Sequence, residues 1–136
     1  MKKMLSTILV LTVFVSMFVY NVSAESTYRD TVGHWASNCI EAWSGYGVIN
    51  GYDGNFNPDR SMTRGEFAVV LDRIMKYQKI AENSFNDLGE DFYTSSILRL
   101  NQAGVMTGYD SKINPVDVLT REEAAVTLCR ALGIKA

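Results

Sequence analysis

Thr63-Arg64-Gly65-Glu66 is a four-residue device that returns at Thr120-Arg121-Glu122-Glu123. In each copy a hydroxyl residue stands three positions ahead of a Glu, and an apolar run follows at once. This is the capping-box pattern. The Thr side chain accepts from the N–H of the third helical residue, and the Glu reaches back to the Thr N–H. The pattern predicts one helix over 63–77 and another over 120–132. Each copy also puts an Arg at the first helical position. Capping has no use for it, and a cation beside the positive helix end is slightly unfavourable. The repeated Arg therefore points to binding rather than folding.

Outward from this device the whole chain proves duplicated. A shift of 57 residues superposes both halves from Tyr28 onward without a gap. Asp30 falls on Asp87, Gly47-Val48 on Gly104-Val105, Gly51-Tyr52-Asp53 on Gly108-Tyr109-Asp110, and Asn57-Pro58 on Asn114-Pro115. Trp35 is replaced by Phe92 and Phe56 by Ile113, which preserves apolar bulk. Such self-similarity is the mark of a repeat architecture.

Each repeat reads as helix, loop, helix. The first helix is expected over 33–46, with Trp35, Cys39, Ile40 and Trp43 on one inward face. Its counterpart is expected over 91–103, using Phe92, Ile97, Leu98 and Leu100. In the capped helices the inward residues are Phe67, Val70, Leu71 and Ile74, and then Ala124, Leu128 and Leu132. Gly47 and Gly104 sit where a left-handed C-cap is wanted. The stretch 48–58 is turn chemistry around isolated apolar residues, with at most a short extended pair. The fold class is all-α: two helix-loop-helix repeats with short extended loop segments, packed as a pseudo-symmetric bundle.

The chain has 136 residues and a formal net charge of −2. Lys2 and Lys3 precede an apolar run over 4–20, and Val22-Ser23-Ala24 offers small residues for cleavage. Residues 1–24 read as a secretory signal peptide, with an uncleaved anchor as the rival. Repeats at 25–80 and 81–136 make up the remainder. Removing two Lys takes the charge from −2 to −4. An acidic exported domain is a poor nucleic-acid binder, so any anion must be held by local Arg and helix N-termini. Two Cys, Cys39 and Cys129, are too few for a disulfide scaffold. Pairing and buried free thiols are both open.

In combination, Tyr28-x-Asp30, His34-Trp35-Ala36, Gly47-Val48-Ile49-x-Gly51-Tyr52, Phe56-x-Pro58 and Thr63-Arg64-x-Glu66-Phe67-Ala68 resemble the S-layer homology (SLH) module. Two consecutive modules cover nearly the whole mature chain, the second more degenerate. The resemblance implies a helical bundle whose inter-module grooves bind a pyruvylated secondary cell-wall polysaccharide, and a secreted protein of the bacterial cell wall or S-layer. Such modules usually come in threes, so two copies are expected to leave an apolar face open. The expected partners are the polysaccharide and either a second copy or another SLH-containing chain. Neither nucleic acid nor, once the signal is gone, membrane is expected.

The site chemistry stands beside that resemblance. A pyruvylated sugar carries a carboxylate, which an Arg fork recognises bidentately. Arg64 and Arg121 are the expected clamps, helped by exposed helix N–H groups. Trp35, Tyr52 and Tyr109 are candidates to cover a sugar face, with Gly51 and Gly108 admitting the ligand to the backbone. Trp35 and Phe92 read as core ahead of platform. Asp30 and Asp87 are candidates for the same site, as helix caps or Arg partners. Thr63, Glu66, Thr120 and Glu123 are assigned to capping. Asp53-x-Asn55-x-Asn57 opens like a calcium loop, but Pro58 and Arg64 stand where that loop needs Gly and Glu. No metal or cofactor is expected. With a single His, His34, and no nucleophile–base pair, the chain reads as a non-enzyme. The competing reading is an assembly protein whose repeats join other envelope proteins without binding glycan.

Overall fold

The computed structural model describes residues 27–134, so the expected signal peptide lies outside the described residues. Within them the fold is mainly helical, as its patterning requires. A 3-10 turn, Arg29–Thr31, leads to α1 (Ser37–Gly45), α2 (Arg64–Met75), α3 (Thr94–Gln102) and α4 (Arg121–Ala131). No strand forms among these residues, only isolated bridges at Tyr52–Asn55, Tyr109–Lys112 and Thr63–Val118.

Both capping boxes are made. The Glu66 N–H donates to Thr63 Oγ1 at 3.3 Å, and the Thr63 N–H returns to Glu66 Oε2 at 2.8 Å. In the second repeat the matching distances are 3.2 and 2.9 Å. The helices preceding them begin later than expected, at Ser37 and Thr94. Gly33 takes a left-handed φ of 77°, and turns close from Ser37 N to His34 O and from Thr94 N to Asp91 O before regular helix sets in. Gly47 and Gly104 take left-handed φ values of 69° and 70° just past α1 and α3.

The loops are built by one rule in both repeats. Asp53 and Asp110 share a φ of 49°, and Asn57 and Asn114 also adopt positive φ. Such backbone is costly for a non-glycine residue unless its surroundings hold it. Asp30 holds the first loop by accepting from the N–H groups of Phe56 (2.8 Å) and Asn57 (2.6 Å). Asp87 does the same for Ile113 (2.9 Å) and Asn114 (2.7 Å). These aspartates neither cap a helix nor pair with an Arg.

The core lies between the repeats. α2 packs against α3, burying Ala68 and Leu71 against Ile97, Leu98 and Leu100, with Leu88, Val105, Met106, Ile113 and Ala131 closing the cluster. Full burial of a side chain such as Ile97 or Leu100 contributes about 1.5–3 kcal/mol. The start of α2 is plugged into the second repeat. Arg64 N donates to Asp117 O (2.9 Å) and Gly65 N to Pro115 O (2.8 Å). Any Cβ at Gly65 would lie 2.7 Å from the Tyr93 ring, so only glycine fits. Deeper in, Asp72 Oδ2 accepts from Ser96 Oγ (3.0 Å) and Arg99 Nη1 (2.8 Å).

Several expected core positions are not in the core. Of the predicted α1 face only Ile40 is buried; Trp35, just before the helix, is 89% exposed, Cys39 is exposed and Trp43 is half-exposed. Phe92 and Ile74 are also exposed. On α4, Thr127 and Ala131 face inward, while Leu128 and Leu132 face solvent. The cause is topological. α3 has α2 lying on it, whereas among the described residues no helix lies in that way on α1 or on the outward face of α4.

Thr63→Ala or Thr120→Ala should lower stability by about 1 kcal/mol each, because a helix-start donor loses its acceptor. Denaturant melts will show this as a lower midpoint with unchanged slope. The pH dependence follows from four carboxyls. The Phe56 N–H holds Asp30 below its ordinary 3.8. Burial pushes Asp87 up, but the Ile113 and Asn114 N–H groups outweigh it and bring it below 3.8. Burial likewise opposes, and the Arg60 and Thr63 bonds outweigh it, in lowering Glu66 below 4.5; the Thr120 N–H leads in lowering Glu123. A lowered folded pKa gives stability that is present above the unfolded value and lost as pH falls through the folded one. Thermal midpoints should therefore hold level near neutrality and drop progressively once pH falls below 4.5 and then 3.8. A flat profile down through that window would disconnect these carboxyls from folding.

Candidate functional site

Each repeat carries a groove between its Gly-Tyr turn and its capped helix, and the two grooves are lined by matching residues. In the first, of about 600 Å³, Gly51, Tyr52 and Asn57 face Glu66, Val69 and Arg73. In the second, of about 380 Å³, Gly108, Tyr109 and Asn114 face Glu123, Val126 and Arg130. The turn tips are two-residue reversals. Tyr52 N donates to Asn55 O at 2.8 Å and Asn55 N to Tyr52 O at 3.0 Å; Tyr109 and Lys112 repeat this at 2.9 and 3.0 Å. The geometry leaves Tyr52 and Tyr109 almost wholly exposed at the rims, 87% and 90%.

Gly51 and Gly108 serve this turn. A Cβ at Gly51 would collide with Asn55 O and the Tyr28 ring, and one at Gly108 with Lys112 O and the Phe85 ring. The Tyr28 hydroxyl accepts from Gly51 N (2.9 Å) and donates to Ser44 Oγ (3.1 Å), so the ring beneath the turn is fixed. These glycines hold the rim in shape, and the space above their backbones is already filled by protein.

The two repeated arginines differ sharply. Arg64 is half-buried, with Nε on Ile113 O (2.9 Å) and Nη1 on Glu123 Oε1 (2.6 Å). It borders the second groove, but protein acceptors take its Nε and Nη1, and the N–H groups of Arg64 and Gly65 are taken by the carbonyls described above. Arg121 is exposed and has no hydrogen-bond or ion-pair partner among the described residues. Two further cations, not singled out in the sequence, line the grooves. Arg73 Nη1 donates to Val48 O (3.1 Å), and Arg130 Nη1 donates to Thr107 Oγ1 (3.2 Å), leaving the rest of each fork available. Their signal was exact register in the duplication, 73 to 130, on a helix face that the apolar pattern leaves outside the core.

The first groove holds Arg60 and Arg73 against Glu66; the second holds Arg64, Lys112 and Arg130 against Glu122 and Glu123. Each is locally positive by one charge on a chain that is negative overall. Phe92, from the second repeat, closes one side of the first groove. Its counterpart is Trp35, which stands in solvent. His34 lies apart: Nδ1 accepts from Ala36 N (3.2 Å) and Nε2 faces exposed Asp59 Oδ1 (3.3 Å), contacts that stabilise the turn.

The S-layer homology domain model matches this chain twice, over residues 27–68 and 84–125. Cell surface glycoprotein 1 of Acetivibrio thermocellus is 30% identical over 83% of this chain, which is 6% of that protein. The S-layer protein sap of Bacillus anthracis is 30% identical over 80% of the chain, 14% of its own length. The cellulosome-anchoring protein of Acetivibrio thermocellus is 30% identical over 78% of the chain and 26% of its length. An exoglucanase of the same organism is 29% identical over 77% of the chain, but the match spans 10% of the enzyme. This chain thus spans about a quarter or less of these curated relatives. Among the described residues no helix is long and apolar enough to cross a membrane. With two matches that together take in more than half of its residues, the chain belongs to the S-layer homology domain family.

Proposed function

We propose that the protein anchors at the bacterial cell surface by holding an acidic cell-wall glycan in its two equivalent grooves. The observation that carries this reading is local charge inversion: a groove with an available Arg fork and an exposed Tyr rim, built twice on an acidic chain. The chemistry suits a pyruvylated secondary cell-wall polysaccharide. Its ketal carboxylate meets Arg73 or Arg130, and a sugar face lies on Tyr52 or Tyr109. Phe92 walls the first groove. Arg64 and Arg121 flank the grooves at the helix starts, and Arg64 orients Glu123. Relatives named for the S-layer and for cellulosome anchoring support the placement.

An ionic hydrogen bond to a carboxylate contributes about 1.5–3 kcal/mol, and 1.4 kcal/mol is about tenfold in affinity. Arg73→Ala with Arg130→Ala should therefore weaken polymer binding by about tenfold or more, while the Lys pair binds with intermediate affinity. The test is a calorimetric or sedimentation titration against purified polymer with and without its pyruvyl groups. Equal binding of both polymers, or no loss in the double Ala variant, would remove this reading.

A further inference from the structure

The α2–α3 contact shows what the open faces of α4 and α1 are shaped to meet. The face that α2 turns to the core is Ala68, Leu71, Asp72 and Met75; shifted by the repeat it becomes Ala125, Leu128, Cys129 and Leu132, all exposed on α4. The face of α3 that receives α2 is Ser96, Ile97 and Leu100; its counterpart on α1 is Cys39, Ile40 and Trp43. Asp72 and Ser96 touch across the internal contact at 3.0 Å. Their counterparts are the chain's two cysteines, both free and exposed.

Other positions change in matched pairs. Gly65 exists to admit the Tyr93 ring; their counterparts are Glu122 and Ala36, so bulk has moved from one partner to the other. The Arg64–Glu123 ion pair maps onto Arg121, exposed and without a partner among the described residues, and Glu66, whose ion pair is with exposed Arg60. Arg99, the third member of the Asp72–Ser96 cluster, maps onto Ala42.

We propose that a second copy of this chain docks head to tail, the α1 face of one on the α4 face of the other as α3 sits on α2, with Cys129 of one copy bonded to Cys39 of the next. The occupant is a second copy because this chain carries both halves of the pair; any other partner would have to bring its own cysteine to one side. A disulfide needs Cβ atoms about 3.5–4.5 Å apart. Cysteine has the reach of serine and one bond less than aspartate, so the helices must approach slightly closer, and Ala42 in place of Arg99 permits it. In this arrangement Trp35 of the second copy walls the second groove as Phe92 walls the first, completing a site that one chain leaves open. A heterologous contact of this kind gives rings or open chains. The bond forms by exchange with an external disulfide. The Cys129 thiolate attacks one of its sulfurs, releasing one thiol and forming a mixed disulfide. The Cys39 thiolate of the second copy then displaces the second thiol. The two electrons lost by the cysteines reduce the external disulfide to two thiols, which take up the two protons.

The test uses purified protein at low micromolar concentration, without polymer, equilibrated with reduced and oxidised glutathione. The parent should give reducible covalent dimers and higher species. Cys39→Ser and Cys129→Ser should each lose them by more than tenfold when alone, yet an equimolar mixture of the two should recover the dimer, joined through a Cys129–Cys39 peptide in mass spectra. Leu128→Asp in the Cys39→Ser partner should suppress that recovery about tenfold, which random thiol collision would not. Same-cysteine dimers from either single variant, a Cys39–Cys129 link within one chain, glutathione adducts alone, or recovery indifferent to Leu128→Asp would each overturn the proposal. Polymer affinity of the first groove is measured separately and does not bear on this outcome.

Discussion

The Arg64 guanidinium sits between Ile113 O and Glu123 Oε1, and the joining of the two repeats converges on that contact. Glu123 also closes the capping box of α4, so one carboxylate fixes a helix start and an inter-repeat junction together. The backbone of the same turn of α2 is docked on Pro115 and Asp117 through a position that only Gly65 can fill. Removing one member of a partly buried pair leaves the other desolvated without compensation, which is worse than lacking both. The helix start is therefore a junction before it is anything else, and the burial of Ala68, Leu71, Ile97 and Leu100 follows from the register it sets.

A duplicated unit with one internal junction is necessarily asymmetric. Identical positions meet different fates: Leu71 is buried and Leu128 half-exposed, Leu100 is buried and Trp43 half-exposed, Arg64 is paired and Arg121 is not. A repeat of this size buries too little surface alone and leans on its neighbours. The two faces without a described neighbour retain the shape and chemistry of the faces that have one, down to complementary changes in bulk and charge.

The grooves follow from the same construction. The Asp30 and Asp87 carboxylates pin the left-handed Asn57 and Asn114, the pinned loops present Tyr52 and Tyr109, and the outer faces of α2 and α4 present Arg73 and Arg130. The positive charge of each groove is local on an acidic chain, and screening by salt limits the reach of the opposing global field to about 10 Å.

The duplication, the capping boxes at Thr63 and Thr120, the left-handed glycines after α1 and α3, and the mainly helical class were all legible in the residues, because each rests on local backbone chemistry within a few positions. Which side of a helix is inward was not. Apolar spacing cannot tell a face covered by another described helix from one left open, so Trp35, Cys39, Trp43, Leu128 and Leu132 read as core and stand in or near solvent. The roles of charged residues were equally hidden. Arg64 read as a ligand clamp because capping gave it no task, and the structure pairs it with an acceptor 59 positions away. Asp30 read as a cap or an Arg partner, and it ties a loop 26 and 27 positions on. Arg73 and Arg130 entered the grooves only when the Gly-Tyr turns folded back onto α2 and α4. The sequence alone determined what each segment does to itself; only tertiary structure decided what it does to others, because burial and charge pairing depend on distances that chain position does not encode.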